Sequence, residues 1–463
     1  MVALDLSKAF DTVNINLLKE KIFNSEIPKH FIKYLFNYID GRSGYTIYNN
    51  KQSRKRIIKT GVPQGGILSP FLFNLYVSDI PKPPVGVKLT MYADDITIYS
   101  SDQNIHNAAS VIQPYLNQIH DWANKNSLKI NSNKSSSTIF TTSTKETNNT
   151  VTLTINNETI PSVSNPKILG LTFDPLLKFH VHSQNIYENT LSKTKILKIL
   201  TSKKFSLSKE LISFIYKQII RTNLEYSCTI WGPTISNSRM KKLQILQNNC
   251  LRIATGCLAK TNINHLHNET KILPLQEHIT LHCSNFYVKI HNTDHPLNYL
   301  LKQENDARNI RKSICNTNKL IVPPELPEYT EEKDKYKYIH TYTVSQYLNN
   351  NKNIILKEPF PAIAKEELSL SRELRKRLSR LRGNKIKLFE TRKSMRKNYK
   401  PEICPFCQED HLNVNHLFNC SIISTDLEVH SLWSDPKKVI ALEDKWIEKL
   451  NAKPINESIN HNS

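Results

Sequence analysis

The sequence predicts an α+β fold built in several units. Three observations carry that expectation. Over residues 1–175, short β-compatible runs alternate with helically spaced apolar stretches and hairpin signals. From about residue 176 helical stripes take over. Near the end, three cysteines and a histidine crowd between Cys404 and Cys420. A chain of 463 residues exceeds the usual size of one hydrophobic core, so about two to four domains are expected.

The elements follow in order. Val2 to Leu6 is apolar and suits a strand. Residues 15–40 have Leu17, Leu18, Ile22 and then Phe31, Leu35, Ile39 spaced for one helical face. Lys51 to Arg56 is a basic loop, read equally as a solvated hairpin tip or a phosphate contact. Ser69 then Pro70 is an N-cap and first-turn signature, with the helix running Phe71 to about Ile80. Val87 to Met91 and Ile96 to Tyr99 are β-compatible runs around Tyr92-Ala93-Asp94-Asp95. Residues 104–126 form a helix with Ile112, Leu116, Ile119 and Trp122 on one side. Leu128 to Asn131 begins a strand and turn, followed by Thr138 to Phe140. Val151 to Ile155 and Glu158 to Pro161 flank Asn156-Asn157 as a hairpin. Lys167 to Phe173 reads as a further strand.

Beyond 176, Leu211, Ile212, Ile215, Ile219 and Ile220 define one helical stripe. Met240, Leu243, Leu246, Cys250 and Ile253 define another, ended by Gly256, with Arg239, Lys242 and Arg252 opposite. Residues 296–362 are Asn-, Pro- and Lys-rich and read as a connector with some helix. Residues 363–400 hold 14 Lys and Arg against 4 Asp and Glu, ten positive charges net. Leu374, Leu378 and Leu381 are helically spaced within them. Arg375, Lys376, Arg377 and Arg380 are the candidate nucleic-acid contacts, with a plain solvated helix as the other reading.

The whole chain carries 63 Lys and Arg against 41 Asp and Glu, a net +22. Such an excess argues for an anionic polymer partner, not for a fold. No run of eighteen apolar residues and no signal peptide appears, so neither a membrane partner nor secretion is expected. An intracellular setting, nucleus or cytoplasm, fits. There the clustered cysteines of the eight read as metal ligands rather than disulfides. Cys404, Cys407, His416 and Cys420 give C-x2-C-x8-H-x3-C, a tetrahedral structural Zn²⁺ site. His411 competes as a ligand. A small zinc-held segment of this kind can hold single-stranded RNA by stacking and charge.

Asp5, Asp94 and Asp95 are the candidate catalytic residues. Each sits at the end of a β-compatible run, and carboxylates brought together at strand ends suit two divalent cations roughly 3.5–4 Å apart. Carboxylate and phosphate oxygens are natural ligands of Mg²⁺. Without cations the three charges repel, and protonation of one is favoured. By themselves they imply metal-assisted phosphate chemistry and no more.

Taken with Phe10 and the loop Gly61-Val62-Pro63-Gln64-Gly65-Gly66-Ile67-Leu68-Ser69-Pro70, they resemble the palm of a reverse transcriptase. The resemblance is to non-LTR retrotransposon enzymes of the jockey-like kind. It covers residues 1–175 closely, runs more weakly to about 295, and returns at Cys404–Cys420. It implies a palm at 1–175, a helical thumb at 176–295, a connector at 296–362, a basic helical segment at 363–400, a zinc knuckle at 401–425 and a tail at 426–463. It implies an RNA-directed DNA polymerase acting on template RNA, a DNA primer or target DNA, and dNTPs, with two Mg²⁺ ions or Mn²⁺ in their place. Asp5 and Asp94 become the main metal ligands, Asp95 an auxiliary one, and the Leu6 carbonyl a further ligand. Asp11 becomes structural, a cap for the following helix. Phe10 becomes the ring under the sugar that excludes a 2′-hydroxyl. Gln64, Gly65 and Gly66 let the backbone approach template and nucleotide. Tyr92 supports the primer end, Lys134 is a candidate acid for pyrophosphate, and Leu169 and Gly170 match the primer-grip hairpin. In such enzymes, fingers segments precede the first catalytic strand and an endonuclease lies at the N-terminus. The chain accordingly reads as the C-terminal portion of a longer polyprotein. The alternative is a truncated, catalytically incomplete fragment that binds nucleic acid.

Overall fold

The structure is a computed structural model of the chain. It describes residues 1–202, 204–292, 297, 332–353, 355–356, 361–386, 403–404, 406–411 and 413–452. Of the sequence readings, 298–331 of the connector, 387–400 of the basic segment and 453–463 of the tail lie outside the described residues. The described chain divides into two compact units, Met1–His182 and Ser183–Ser463.

The first unit is organised by a four-stranded sheet. Strands β1 (Val2–Leu6), β6 (Val87–Tyr92), β7 (Asp95–Ser100) and β8 (Ile130–Ser137) lie in the order β6-β7-β1-β8, every neighbour antiparallel. Alternation assigns the two faces. Val2, Leu4, Leu6, Ile96 and Ile98 point into the core, while Ala3, Asp5, Asp95 and Thr97 share the opposite face. The buried face packs on Leu18 and Ile22 of α2 (Ile15–Phe23), Leu35 and Ile39 of α3 (Lys29–Ile39), Leu72, Phe73 and Tyr76 of α4 (Ser69–Tyr76), and Tyr115, Leu116 and Ile119 of α5 (Ile105–Lys125).

Several local expectations need correction. Residues 15–40 form two helices, interrupted just ahead of Pro28, since the residue before a proline is driven out of helical geometry. The cap of α2 is Asn14, whose side chain accepts from the N–H groups of Asn16 and Leu17; Asp11 has a different partner. Ser69 stands inside α4, and its hydroxyl donates to the Pro63 carbonyl; the cap position is Leu68. Lys51–Arg56 is not a hairpin tip. That tip is Asn49-Asn50, with φ of 47° and 59°, between β3 (Ile47–Tyr48) and β4 (Lys51–Gln52). Lys167–Phe173 is not one strand but the hairpin β11 (Lys167–Ile168) and β12 (Leu171–Thr172). Leu169 and Gly170, with φ of 46° and 83°, reverse the chain between them.

The second unit is helical. Helix α7 (Lys209–Ile215) runs through a π-helical stretch, Tyr216–Arg221, into α8 (Thr222–Glu225). Ile212, Tyr216 and Ile220 are fully buried against Leu246, Cys250 and Leu251 of α10 (Asn237–Thr255), while Leu211 and Ile219 of the expected stripe are exposed. Gly256 ends α10 in the left-handed region at φ 71°. Beneath the helices lies a closed ionic cluster. Lys209 Nζ is 2.7 Å from Glu269 and 3.4 Å from Glu367, and Arg382 binds the same two carboxylates.

In the basic helix, Arg372–Arg382, several arginines have partners within the protein. Arg372 donates to the carbonyls of Leu207, Ile253 and Ala254. Arg375 pairs with Glu210, Arg377 with Glu443 at 2.8 Å and Asp444 at 2.6 Å, and Arg380 donates to the Gly256 carbonyl at 2.9 Å. The Lys376 chain lies over Gly256, where an added Cβ would collide with it. Composition cannot separate a cation spent on a protein carboxylate from one held out to phosphate.

The C-terminal region is likewise more than a knuckle and a tail. Cys404, Val414, Leu417, Phe418 and Cys420 share one core with Leu378, Leu381, Leu432, Trp433 and Trp446. Trp446 belongs to a helix, Pro436–Ala452, within the expected tail. The described residues of 401–425 thus take their apolar cover from both sides in sequence.

Candidate active site

Asp5 and Asp95 are direct cross-strand partners in the β1–β7 ladder. Their side chains leave the same face of the sheet, and directly opposed residues have Cβ atoms about 4.5–5.5 Å apart. Asp94 sits in the two-residue turn that joins β6 to β7, after Ala93 at φ 52°. Asp95's carboxyl is raised above its ordinary range, first by partial burial, then by the charges of Asp94 and Asp5. Asp95 thus feels the charge of both other acids. The three are the donor set a pair of hard divalent cations would neutralise.

The sheet fixes Asp5 on its other side too. Its backbone N–H donates to Ser135 Oγ at 3.2 Å, across the irregular register between β1 and β8. Sequence reasoning missed Ser135, because a serine in a polar strand carries no signal of the strand it will face. Leu6, whose carbonyl was a candidate ligand, pairs with Ile130. Lys134 lies on the same β8, exposed, with its backbone N–H on Asn131 Oδ1 at 3.2 Å. Tyr92 ends β6 with 69% of its surface exposed.

Phe10 stands in α1 (Ala9–Thr12), half-buried. It is stacked on Phe73 with centroids 4.5 Å apart and planes at 20°. The Gln64 loop is tied to that helix. Gly61 N–H donates to the Val13 carbonyl and Val62 N–H to the Phe10 carbonyl, both at 2.8 Å, and Gln64 Nε2 donates to Asp11 Oδ1 at 2.8 Å. The glycines differ in purpose. A Cβ on Gly61 would stand 2.8 Å from the Asp11 backbone; on Gly66 it would strike the Tyr38 hydroxyl and Ser69. Gly65 has open space around it and φ of 81°, so its need is conformational.

Leu169 and Gly170 form the exposed turn described above. Arg375, Arg377 and Arg380 have their partners, Glu210, Glu443, Asp444 and the Gly256 carbonyl, within the second unit.

The four zinc-spaced residues do converge. Cys404 Sγ and Cys420 Sγ are 4.0 Å apart, Cys407 Sγ and His416 Nε2 3.4 Å, and all four ligand atoms lie within 4.8 Å of one another. Tetrahedral thiolates on zinc stand roughly 3.8 Å apart, given Zn–S bonds of about 2.3 Å. Burial pushes the Cys404 thiol up, whereas the Glu409 backbone hydrogen bond draws Cys407 down toward the thiolate. His411 stands outside the set, exposed and bridged to Ile403.

Comparison with known proteins follows the same division. Residues 1–173 match the family described as reverse transcriptase (RNA-dependent DNA polymerase). The chain is 30% identical over 317 residues to the probable RNA-directed DNA polymerase from transposon X-element of Drosophila melanogaster, a match covering 67% of this chain and 34% of that protein. It is 27% identical over 292 residues to the probable RNA-directed DNA polymerase from transposon BS of the same species, covering 62% and 32%. It is 28% identical over 263 residues to the RNA-directed DNA polymerase from mobile element jockey of Drosophila melanogaster, covering 55% and 28%. The chain spans about a third of the length of these relatives.

Proposed function

We propose, from the premise that residues 1–173 are a reverse transcriptase domain, that the chain carries the RNA-directed DNA polymerase activity of a non-LTR retrotransposon. One observation supports this above the rest: Asp5 and Asp95 meet across a ladder, with Asp94 in the adjoining turn. In this reading the unit Met1–His182 is the palm, and the helices that follow supply the thumb. Cys404, Cys407, His416 and Cys420 hold a structural Zn²⁺, an ion that supplies cross-linking and no chemistry. The substrates are dNTPs, a DNA primer and an RNA template, handled inside the cell.

Asp5 and Asp94 are the main ligands for two Mg²⁺ ions and Asp95 is auxiliary. Bound there, such ions lower the pKa of a primer 3′-hydroxyl and steady the triphosphate. The rest is positioning by the chain. Phe10, stacked on Phe73, is the ring that would exclude a 2′-hydroxyl. Gln64, held by Asp11, fixes the loop whose Gly65 and Gly66 carry backbone without side chains. Tyr92, at the end of β6, would support the primer terminus, Leu169 and Gly170 would carry the grip hairpin, and Lys134 is the candidate acid for pyrophosphate. Among the described residues no helix is long and apolar enough to cross a membrane. The alternative of a fragment that binds nucleic acid without chemistry is not favoured, because the carboxylate trio is complete.

The test is primer extension on an RNA template with Mg²⁺, beside Mn²⁺ binding followed by electron paramagnetic resonance. Binding that is lost in Asp5→Asn and Asp94→Asn supports the site. Unchanged binding in both variants overturns it, whether or not extension is seen.

A further inference from the structure

Glu225, His278 and His282 converge in the helical unit, and the geometry points to a second transition-metal site there, a two-histidine, one-carboxylate centre for a divalent ion such as Zn²⁺. It shares no residue with the Cys404–Cys420 cluster.

The two histidines lie one turn apart on the helix Leu275–Asn292, so both rings leave the same face. Glu225 ends α8, directly after the π-helical stretch Tyr216–Arg221. Such irregular turns re-aim the residues that follow and recur at functional sites. His278 Nε2 lies 2.7 Å from Glu225 Oε1 and 3.1 Å from His282 Nε2. His282 Nε2 lies 4.0 Å from Glu225 Oε2. One ligand atom from each residue falls within 4.8 Å of the others. Ligands on a tetrahedral ion with bonds of about 2.0–2.1 Å stand roughly 3.3 Å apart, and the 3.1 Å between the two imidazole nitrogens is close to that value.

Proton bookkeeping favours an ion over a plain hydrogen-bond cluster. His278 Nε2 carries at most one proton but has two close neighbours. Given to Glu225, that proton leaves the imidazole–imidazole contact poorly served. Protonating both rings puts two cations with centroids 4.6 Å apart beside Arg221. A cation among the lone pairs satisfies all three groups at once. Arg221 Nε is 2.6 Å from Glu225 Oε1, yet neither atom is in an aligned hydrogen bond. Arg221 thus stands beside the carboxylate as a charged neighbour outside the proposed ligand set. Glu225 and His278 side chains are 17% and 12% exposed, while His282 is 44% exposed. The site therefore opens on one side, where water completes the shell. Nitrogen and oxygen donors in this ratio suit a first-row divalent ion.

The experiment uses the whole chain, reduced, equilibrated with Zn²⁺ and freed of excess. Metal per chain is counted, and Co²⁺ is then substituted to read thiolate coordination by absorption. The expected result is about two equivalents, falling to about one in His282→Asn and in Glu225→Gln, with the thiolate–cobalt band unchanged. Circular dichroism reports folding, and His282 is exposed enough that its replacement leaves the packing in place. In Cys404→Ser/Cys407→Ser the band is lost and about one equivalent remains. Folded His282→Asn and Glu225→Gln proteins that both hold as much Zn²⁺ as the parent overturn the site. So does a folded parent whose metal is fully accounted for by the thiolate band.

Discussion

Gln64 donates from Nε2 to Asp11 Oδ1 at 2.8 Å, joining the glycine loop to the helix that carries Phe10. Both side chains are exposed, so the bond is worth about 1 kcal/mol at most. Its value lies in holding the loop in register. Asp11→Ala and Gln64→Ala are expected to raise the KM for dNTP several-fold while moving the urea midpoint little. A double-mutant cycle should show coupling in KM, the two changes together costing no more than either alone.

Asp94→Asn is expected to abolish Mg²⁺-dependent extension and, without metal, to leave the protein as stable or slightly more so. The sign follows from Asp95, whose carboxyl is raised partly by Asp94. A raised acid binds protons more readily folded than unfolded, so its charge costs stability at neutral pH, and that cost fades as pH falls. Removing the neighbouring charge relieves part of it. Thermal melts in chelator, read beside the extension assay, check both halves.

Phe10→Val is expected to raise the incorporation of ribonucleotides relative to deoxyribonucleotides. Its ring is only half-buried and is stacked on Phe73, so truncation opens space at the surface more than in the core. An unmoved ratio would make Phe10 a packing residue.

Glu269→Ala should destabilise the helical unit by roughly 3–5 kcal/mol, because it strands Lys209 and Arg382 without one of their carboxylates. Arg382 and Lys209 hold the Glu269 carboxyl far below its usual 4.5, against the opposing effect of burial. A depressed acid contributes stability in full above that usual value, and loses it as pH falls further. His267, buried and held down to about 4 from 6.5, acts in the same direction over a higher window. Its burial as a neutral ring makes stability fall from about pH 6.5 down to 4, by roughly 3 kcal/mol. His267→Asn should reduce the slope in that upper window, where His182, His265 and His282, also held down by burial, contribute the rest. Denaturant titrations at several pH values separate the two groups.

Zinc removal should be visible in tryptophan emission. Trp446 meets the rings of Phe406 at 5.4 Å and His416 at 6.0 Å, edge-on in both cases. Chelation, or Cys407→Ser, is expected to shift the emission to the red as water reaches that indole. An unchanged spectrum on loss of metal would show that the apolar packing holds the segment by itself.

How much of this was legible beforehand depended on distance along the chain. Asp5, Asp94 and Asp95 stood at the ends of β-compatible runs, and the knuckle's ligands lay within one short segment. Both were readable because the signal is local. The hairpin at Asn156-Asn157 was readable for the same reason, two adjacent residues suited to the left-handed region. What joins Glu225 to His278 and His282, or Gln64 to Asp11, is tertiary packing, which leaves no mark on either segment alone. The basic stretch shows a different limit. Ten net positive charges said polyanion, but Glu210, Glu443 and Asp444 answer Arg375 and Arg377 from far along the chain. The polyanion argument must then rest on other lysines and arginines of the chain.

The contact at Gly61 has a mechanical side. With no room for a side chain against Asp11, and with backbone bonds from Gly61 to Val13 and from Val62 to Phe10, the aromatic and the glycine loop behave as one rigid body. Under the proposed function, sugar discrimination and loop placement are then a single adjustable quantity. A change that shifts the Phe10 ring to admit a larger sugar drags Gln64 with it, so relaxed selectivity should arrive together with poorer alignment. Altering the ring itself, and leaving its backbone alone, is the way to separate the two.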